Sequence, residues 1–244
     1  MKKILALILS LVCVLTLFAG CNQQKTLIMG TSAGFPPYEF ADTDGSVTGI
    51  DADIAKAIAD ELGYKLEIKD MDFKALIPAV QSGSIDIVLA GMTVTEERKQ
   101  NVNFSDSYAT GKQVIIVNEN SAIKTKDDLK GKMIGVQAGT TGDIYCTEDY
   151  GQDHVKQYKH GTLAVTALKQ NQVDCVVTDI DPAKQFVASN SGLKILDVEY
   201  ITENYAIAIS KSDTELLEKI NKIIADKKAD GSLQKIIDKY ITAE

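Results

Sequence analysis

Residues 48–90 read TGIDADIAKAIADELGYKLEIKDMDFKALIPAVQSGSIDIVLA. Within residues 51–62 the apolar positions Ile54, Ala57, Ile58 and Leu62 recur at helical spacing. Thr48 and Asp51 stand three apart just ahead of that run, in the manner of a capping box. Residues 64–68 predict a strand, 73–81 a helix that Pro78 can bend, and 85–90 another strand. With the run KTLIMG at 25–30 in front, the order is β-α-β-α-β. Strands alternating with helices imply a mostly parallel sheet with helices on both faces, an α/β fold.

The same pattern restarts after Lys112. Strands are expected over 113–117, 132–136, 155–158, 173–178, 193–197 and 205–210, and helices over 140–150, 162–170, 214–227 and 233–240. Residues 79–88, AVQSGSIDIV, echo residues 167–176, ALKQNQVDCV. Each reads as a helix end, a turn, an aspartate and a buried strand. The echo fits two corresponding lobes, and it equally fits a unit that any α/β chain repeats. No Pro/Gly/Ser-rich linker separates two halves, so any two lobes are joined by ordinary strands.

The first twenty residues read as a secretory signal rather than as fold. Met1, Lys2 and Lys3 precede the apolar run 4–18, and Ala19, Gly20 and Cys21 close it. The run is too short to span a membrane comfortably. Phe18-Ala19-Gly20-Cys21 resembles a lipobox, with phenylalanine where leucine is usual, which would make Cys21 the lipidated first residue of the mature chain. Plain cleavage and free secretion is the alternative. Losing Lys2 and Lys3 from a chain of net charge -8 leaves -10. Phosphate repels so acidic a surface, so nucleic acid is not an expected partner. His154 and His160 lie in no Cys/His cluster, so no metal site is expected. Cys146 and Cys175 can pair or remain thiols.

Arg98 is the single arginine against 25 lysines. A surface arginine left by chance fits that count, and so does a guanidinium kept because a planar, two-pronged donor is needed. Carboxylate recognition is such a task. Arg98 follows the apolar strand at 85–90 by about one helical turn, with Thr95 placed to cap a short helix. Ligands of open α/β sheets bind outside the carboxyl ends of strands.

From these residues outward the chain resembles the family-3 solute-binding proteins of ABC importers, a group that includes glutamine-, histidine- and lysine/arginine/ornithine-binding proteins. The segments that carry the resemblance are 30–40 (GTSAGFPPYEF), 49–54 (GIDADI), 76–83, 90–98 (AGMTVTEER), 103–108 (NFSDSY), 128–132, 136–141 and 173–179. The resemblance implies a two-lobed periplasmic-binding-protein fold of type II, each lobe a mostly parallel sheet flanked by helices. Lobe 1 would comprise 26–110 and 205–244, and lobe 2 111–204. They would hinge near 109–114 and 199–206, behind a signal peptide (1–20) and a lipidated tether (21–25).

The resemblance further implies a site that clamps a zwitterion. Arg98 would pair with the α-carboxylate, helped by the Thr141 backbone N–H. The Gly91 carbonyl, the Thr93 hydroxyl and Asp179 would receive the α-ammonium, unless Asp179 instead caps a helix beginning Ile180-Asp181-Pro182. Phe35 and Ile50 would flank the ligand side chain, where relatives often have two aromatics, or both can be ordinary core. Relatives carry Asp where Ser32 stands, and glutamine binders carry Lys where Gln137 stands. Glu39 can meet a guanidinium or ammonium, or can be a solvated surface acid. The expected ligand is a free amino acid, basic or polar, and the expected partner an ABC permease, with the protein acting as a lipid-anchored monomer without cofactor. Two other functions stay open. A dehydratase acting on prephenate or arogenate would need a general acid in the cleft. A sensor input domain would continue into a membrane helix, and this chain stops at Glu244.

Overall fold

The structure is a computed structural model that describes residues 24–196, 198 and 201–241. The signal segment and Cys21 lie outside the described residues.

The first sheet begins with β1 (Thr26–Thr31); the chain then forms a separate hairpin of β2 (Phe40–Ala41) and β3 (Val47–Thr48), and α1 (Ile50–Leu62) leads back to the sheet at β4 (Lys65–Asp70). A 3-10 turn at Phe73–Ala75 leads into α2 (Leu76–Gln81), then β5 (Ile87–Val88), α3 (Glu96–Asn101) and β6 (Asn103–Phe104). The long β7 (Ala109–Asn118) carries the chain into a second sheet of β8 (Ile134–Gln137), α4 (Thr141–Tyr150), β9 (Val155–Tyr158) and α5 (Gly161–Lys169). That sheet ends with β10 (Cys175–Asp179), α6 (Ile180–Ser189) and β11 (Leu193–Ile195). Then β12 (Ile201–Tyr205) returns to β13 (Ala208–Ile209), α7 (Thr214–Ala229) and α8 (Ser232–Asp238).

The first sheet has the order β4-β1-β5-β13-β6, and the second β11-β7-β10-β8-β9, with β12 also on β7. Strands joined through helices are parallel, as expected: β1 with β4 and β5, β8 with β9 and β10. Both sheets are nevertheless mixed. The returning β13 runs antiparallel to β5 and β6, and β7 runs antiparallel to β10, β11 and β12. The reason is the double crossing: a chain that leaves one lobe on β7 and comes back on β12 must run the two strands in opposite directions. Their register, Gln113↔Ile201 to Ala109↔Tyr205, forms the paired connection between lobes.

Helices cover both faces of each sheet. In lobe 1, Ile54, Ile58, Ile220 and Leu233 pack from α1, α7 and α8 on one face, and Leu76 and Val80 pack from α2 on the other. In lobe 2, α5 and α6 bring Leu168 and Phe186 to one face, while α4 brings Cys146 to the other. Each such fully buried side chain contributes roughly 1.5–3 kcal/mol of transfer free energy. Cys146 and Cys175 both stand as buried thiols in that second cluster.

Two local readings change. The capping box expected at Thr48 and Asp51 does not form. The N-cap is Gly49, at φ 127, and its missing Cβ would lie 2.2 Å from the Tyr38 carbonyl oxygen. Only glycine tolerates both that torsion and that approach, and the turn leaves Asp51 free to point inward. The sequence pattern touches α6 only as a helix that Asp179 can cap, because Pro182 discourages a helix. It sits in the first turn, where the missing N–H costs nothing.

Candidate functional site

A narrow, nearly closed cavity of about 10 Å³ lies between the lobes, against the strand ends of both sheets. Its wall brings together eight of the ten ligand-binding residues expected from sequence. Phe35, Glu39, Gly91, Thr93 and Arg98 come from lobe 1, and Gln137, Thr141 and Asp179 from lobe 2. Ile50 and Ser32 are not on the wall. Ile50 is fully buried in the lobe-1 core, because as the first residue of α1 it turns toward Tyr38 and Ile54. Ser32 sits behind the wall and accepts a hydrogen bond from Gln137 Nε2 at 3.2 Å.

Arg98 is held by the short helix that Thr95 caps, its hydroxyl accepting from the Arg98 N–H at 3.1 Å. The side chain is buried. Arg98 Nη1 donates to the Thr93 carbonyl at 2.7 Å, and Nη2 crosses the cleft to the Gly139 carbonyl at 3.0 Å. The guanidinium lies 5.3 Å over the Phe73 ring, a cation–π contact. Burial lowers its pKa, opposed by the charges of Glu203 and Asp179 among others.

Asp179 ends β10 and occupies the N-cap position of α6, yet its carboxylate makes no cap hydrogen bond. It faces the hinge strands instead, accepting from Gln113 Nε2 at 2.8 Å and from the Tyr205 hydroxyl. Burial, and then the charge of Glu203, push its pKa up. Glu203 on β12 accepts from Gln113 Nε2 at 3.1 Å and from Thr93 Oγ1 at 3.0 Å. A threonine hydroxyl that donates to a carboxylate keeps its lone pairs for an incoming donor, so the bond to Glu203 orients Thr93 as an acceptor. Thr141 opens α4 one residue after the N-cap Thr140, where free N–H groups and the helix dipole favour an anion.

Glu39 is no solvated surface acid: it is 1 % exposed and lines the cavity. Asp51 is its buried neighbour, the Asp51 N–H donating to the Tyr38 carbonyl at 2.9 Å. Asp51 Oδ2 also accepts from the Gly91 N–H at 2.8 Å and the Tyr108 hydroxyl at 3.0 Å. Burial and the neighbouring Asp51 carry the Glu39 pKa well above the usual carboxylate range.

Across the rim, Tyr38 Oη donates to Asp181 Oδ2 at 2.9 Å, and Lys159 Nζ meets Asp72 Oδ1 at 3.0 Å. With the Arg98–Gly139 and Gln137–Ser32 bonds, these hold the two lobes against each other. The residues that sequence reasoning missed are Asp51, Gln113, Glu203, Tyr205 and the Phe73 face. Only Phe73 left a trace, as an aromatic just after a strand end. Among the described residues no group of His, Cys, Asp and Glu side chains is arranged to hold a metal ion.

The profile of bacterial extracellular solute-binding proteins, family 3, matches residues 27–243. The chain is 36% identical over 258 residues to the arginine-binding extracellular protein ArtP of Bacillus subtilis (strain 168), covering 100% of both. It is similar to the solved structure of an ancestral arginine-binding protein bound to arginine: TM-score 0.84, 46% identity, 90% of this chain and 100% of that one. The structure of an ancestral arginine-binding protein bound to glutamine is also similar, with TM-score 0.86, 45% identity and coverage of 91% and 100%. These relatives are binding proteins rather than enzymes.

Proposed function

Because this chain belongs to the bacterial extracellular solute-binding proteins of family 3, we propose that its cavity captures a free L-amino acid with a cationic side chain, arginine above all, for an ABC permease. The observation that carries this reading is the charge of the wall. Arg98 on one lobe faces Asp179 on the other, and Glu39 adds a third buried charge-bearing group with no protein cation as partner. In this reading Arg98 and the start of α4 take the α-carboxylate, while Asp179, Thr93 and the Gly91 carbonyl take the α-ammonium. Glu39 is left for the far end of the side chain. Phe35 supplies one apolar wall, and the Phe73 ring backs Arg98. A buried zwitterion must have both charges met. Here the two partners sit on different lobes, so a bound ligand ties the lobes together and the permease can distinguish loaded from empty protein.

The arginine- and glutamine-bound relatives support a ligand whose side chain ends in a planar, nitrogen-bearing group. The test is a thermal-shift screen of the twenty amino acids with ornithine and citrulline. Arginine at a hundredfold excess over Kd is expected to add about 2.7 kcal/mol, raising the midpoint by about 5–10 °C. A screen in which acidic or purely aliphatic amino acids give the largest shift would overturn the reading.

Anchoring through Cys21 is part of the same proposal, on the lipobox likeness of Phe18-Ala19-Gly20-Cys21. Metabolic labelling with palmitate is expected to mark the wild-type protein and to be lost in Cys21→Ala. An unlabelled wild type would mean a freely secreted receptor.

A further inference from the structure

The cavity holds more acid than its own cation can meet. Glu39, Asp51, Asp179 and Glu203 are all buried in or beside it, and Arg98 is the one cation on its described wall. On the hinge side the acids have donors: Gln113, Tyr205 and Thr93 serve Asp179 and Glu203. Glu39 and Asp51 lie on the other side, ahead of β2 and in the first turn of α1. Asp51 Oδ2 has the Gly91 N–H and the Tyr108 hydroxyl. No N–H or hydroxyl among the described residues reaches Asp51 Oδ1 or Glu39 Oε2.

The Asp51 N–H donates to the Tyr38 carbonyl at 2.9 Å, so the two acids are neighbours, and each buried charge opposes the other. Two buried acids side by side with no cation between them cannot both ionise, so the pair keeps a proton. The two donors on Asp51 favour its ionised form, which leaves the proton on Glu39, the member of the pair that lines the cavity. The groups that act on Glu39 from the surrounding elements are Asp51 from α1, Asp179 from the end of β10, Asp70 from the end of β4, and the Tyr108 hydroxyl. None of these brings a positive charge.

We propose that Glu39 and Asp51 form a proton-holding pair that reads the charge of the ligand side chain, releasing its proton to solvent when a cationic group enters and keeping it when a neutral amide enters. The proposal rests on the functional reading above and deepens it. When a guanidinium enters, the Glu39 O–H bond breaks, the proton leaves to bulk water, and the pair goes from one negative charge to two against the added positive one. When a neutral side chain enters, no charge is added and the proton stays. Burial raises both carboxyl groups, and Asp51 opposes a second charge on Glu39, so the pair holds its proton in the absence of a cation.

Asp179 meets the α-ammonium of every amino acid, so any proton it gives up is common to all ligands. Subtracting one ligand from another isolates the pair. Titration calorimetry at pH 7, repeated in buffers of different ionisation enthalpy, counts the protons released by arginine and by glutamine. Arginine is expected to release about one more than glutamine, and the ratio of arginine to glutamine affinity to rise about tenfold per pH unit from about pH 5 to 7. Glu39→Gln, isosteric with the protonated acid, is expected to erase the difference in proton count. It should also lower the affinity ratio about a hundredfold. Equal proton counts for the two ligands in the wild type overturn the pair. A wild type that gives no arginine heat at all overturns the functional reading itself, and the pair with it.

Discussion

Replacing Arg98 with lysine is expected to weaken amino-acid binding about a hundredfold, a loss of about 2.7 kcal/mol. The argument is a count of donors. A guanidinium has five N–H donors, and here one is spent on the Thr93 carbonyl and one on the Gly139 carbonyl, leaving three in a fixed plane for a carboxylate. A lysine ammonium has three, so after the same two carbonyls one remains, and it cannot form a two-pronged bond. The Gly139 contact also bridges the lobes, so losing it loosens the closed form as well as the ligand. Calorimetry of the variant, with circular dichroism to check the fold, decides the matter. Near wild-type affinity in Arg98→Lys would remove this residue from the site.

Asp179→Asn is expected to cost more, about a thousandfold or about 4 kcal/mol, because it leaves the buried α-ammonium without its charge partner. Asparagine keeps an oxygen to accept from Gln113 or Tyr205, so the hinge contacts are disturbed less than by alanine. A pH dependence of definite sign accompanies it. Burial and Glu203 raise the Asp179 pKa, so a proton competes with the ligand ammonium for the same carboxylate. Affinity for every amino acid therefore falls as pH drops through that raised pKa, approaching about tenfold per pH unit where one proton is exchanged. In Asp179→Asn that contribution disappears. A variant with the steep wild-type profile would place the titrating group elsewhere.

The alternating pattern from residue 25 to 90 was enough to read the α/β class, because strand and helix periods are local and differ by nearly a factor of two. The Thr95 cap, the start of α4 near Thr140 and the strand over Val155–Tyr158 were legible for the same reason. Arg98 and Asp179 could be named from their places beyond strand ends and from the family resemblance. Where the reading slipped, the missing information was not local. Thr48 and Asp51 have the spacing of a capping box, but the approach of Tyr38 makes Gly49 the cap and sends Asp51 to Gly91, forty residues on. Ile50 has the composition of a ligand-facing residue, and the turn of α1 gives it to the core.

The order of elements, the acidic character, the single arginine and its helix cap were determined by the sequence itself, since each depends on neighbours a few residues away. What only the tertiary structure decided is which acids share the cavity. Thr93 meets Glu203 across 110 residues and Gln113 meets Asp179 across 66, and Glu39 changes from a surface acid into a buried one. Whether a carboxyl group is solvated, paired or protonated depends on the dielectric and the donors around it. Those are supplied by chain segments brought together when two sheets close on each other, which no local pattern records.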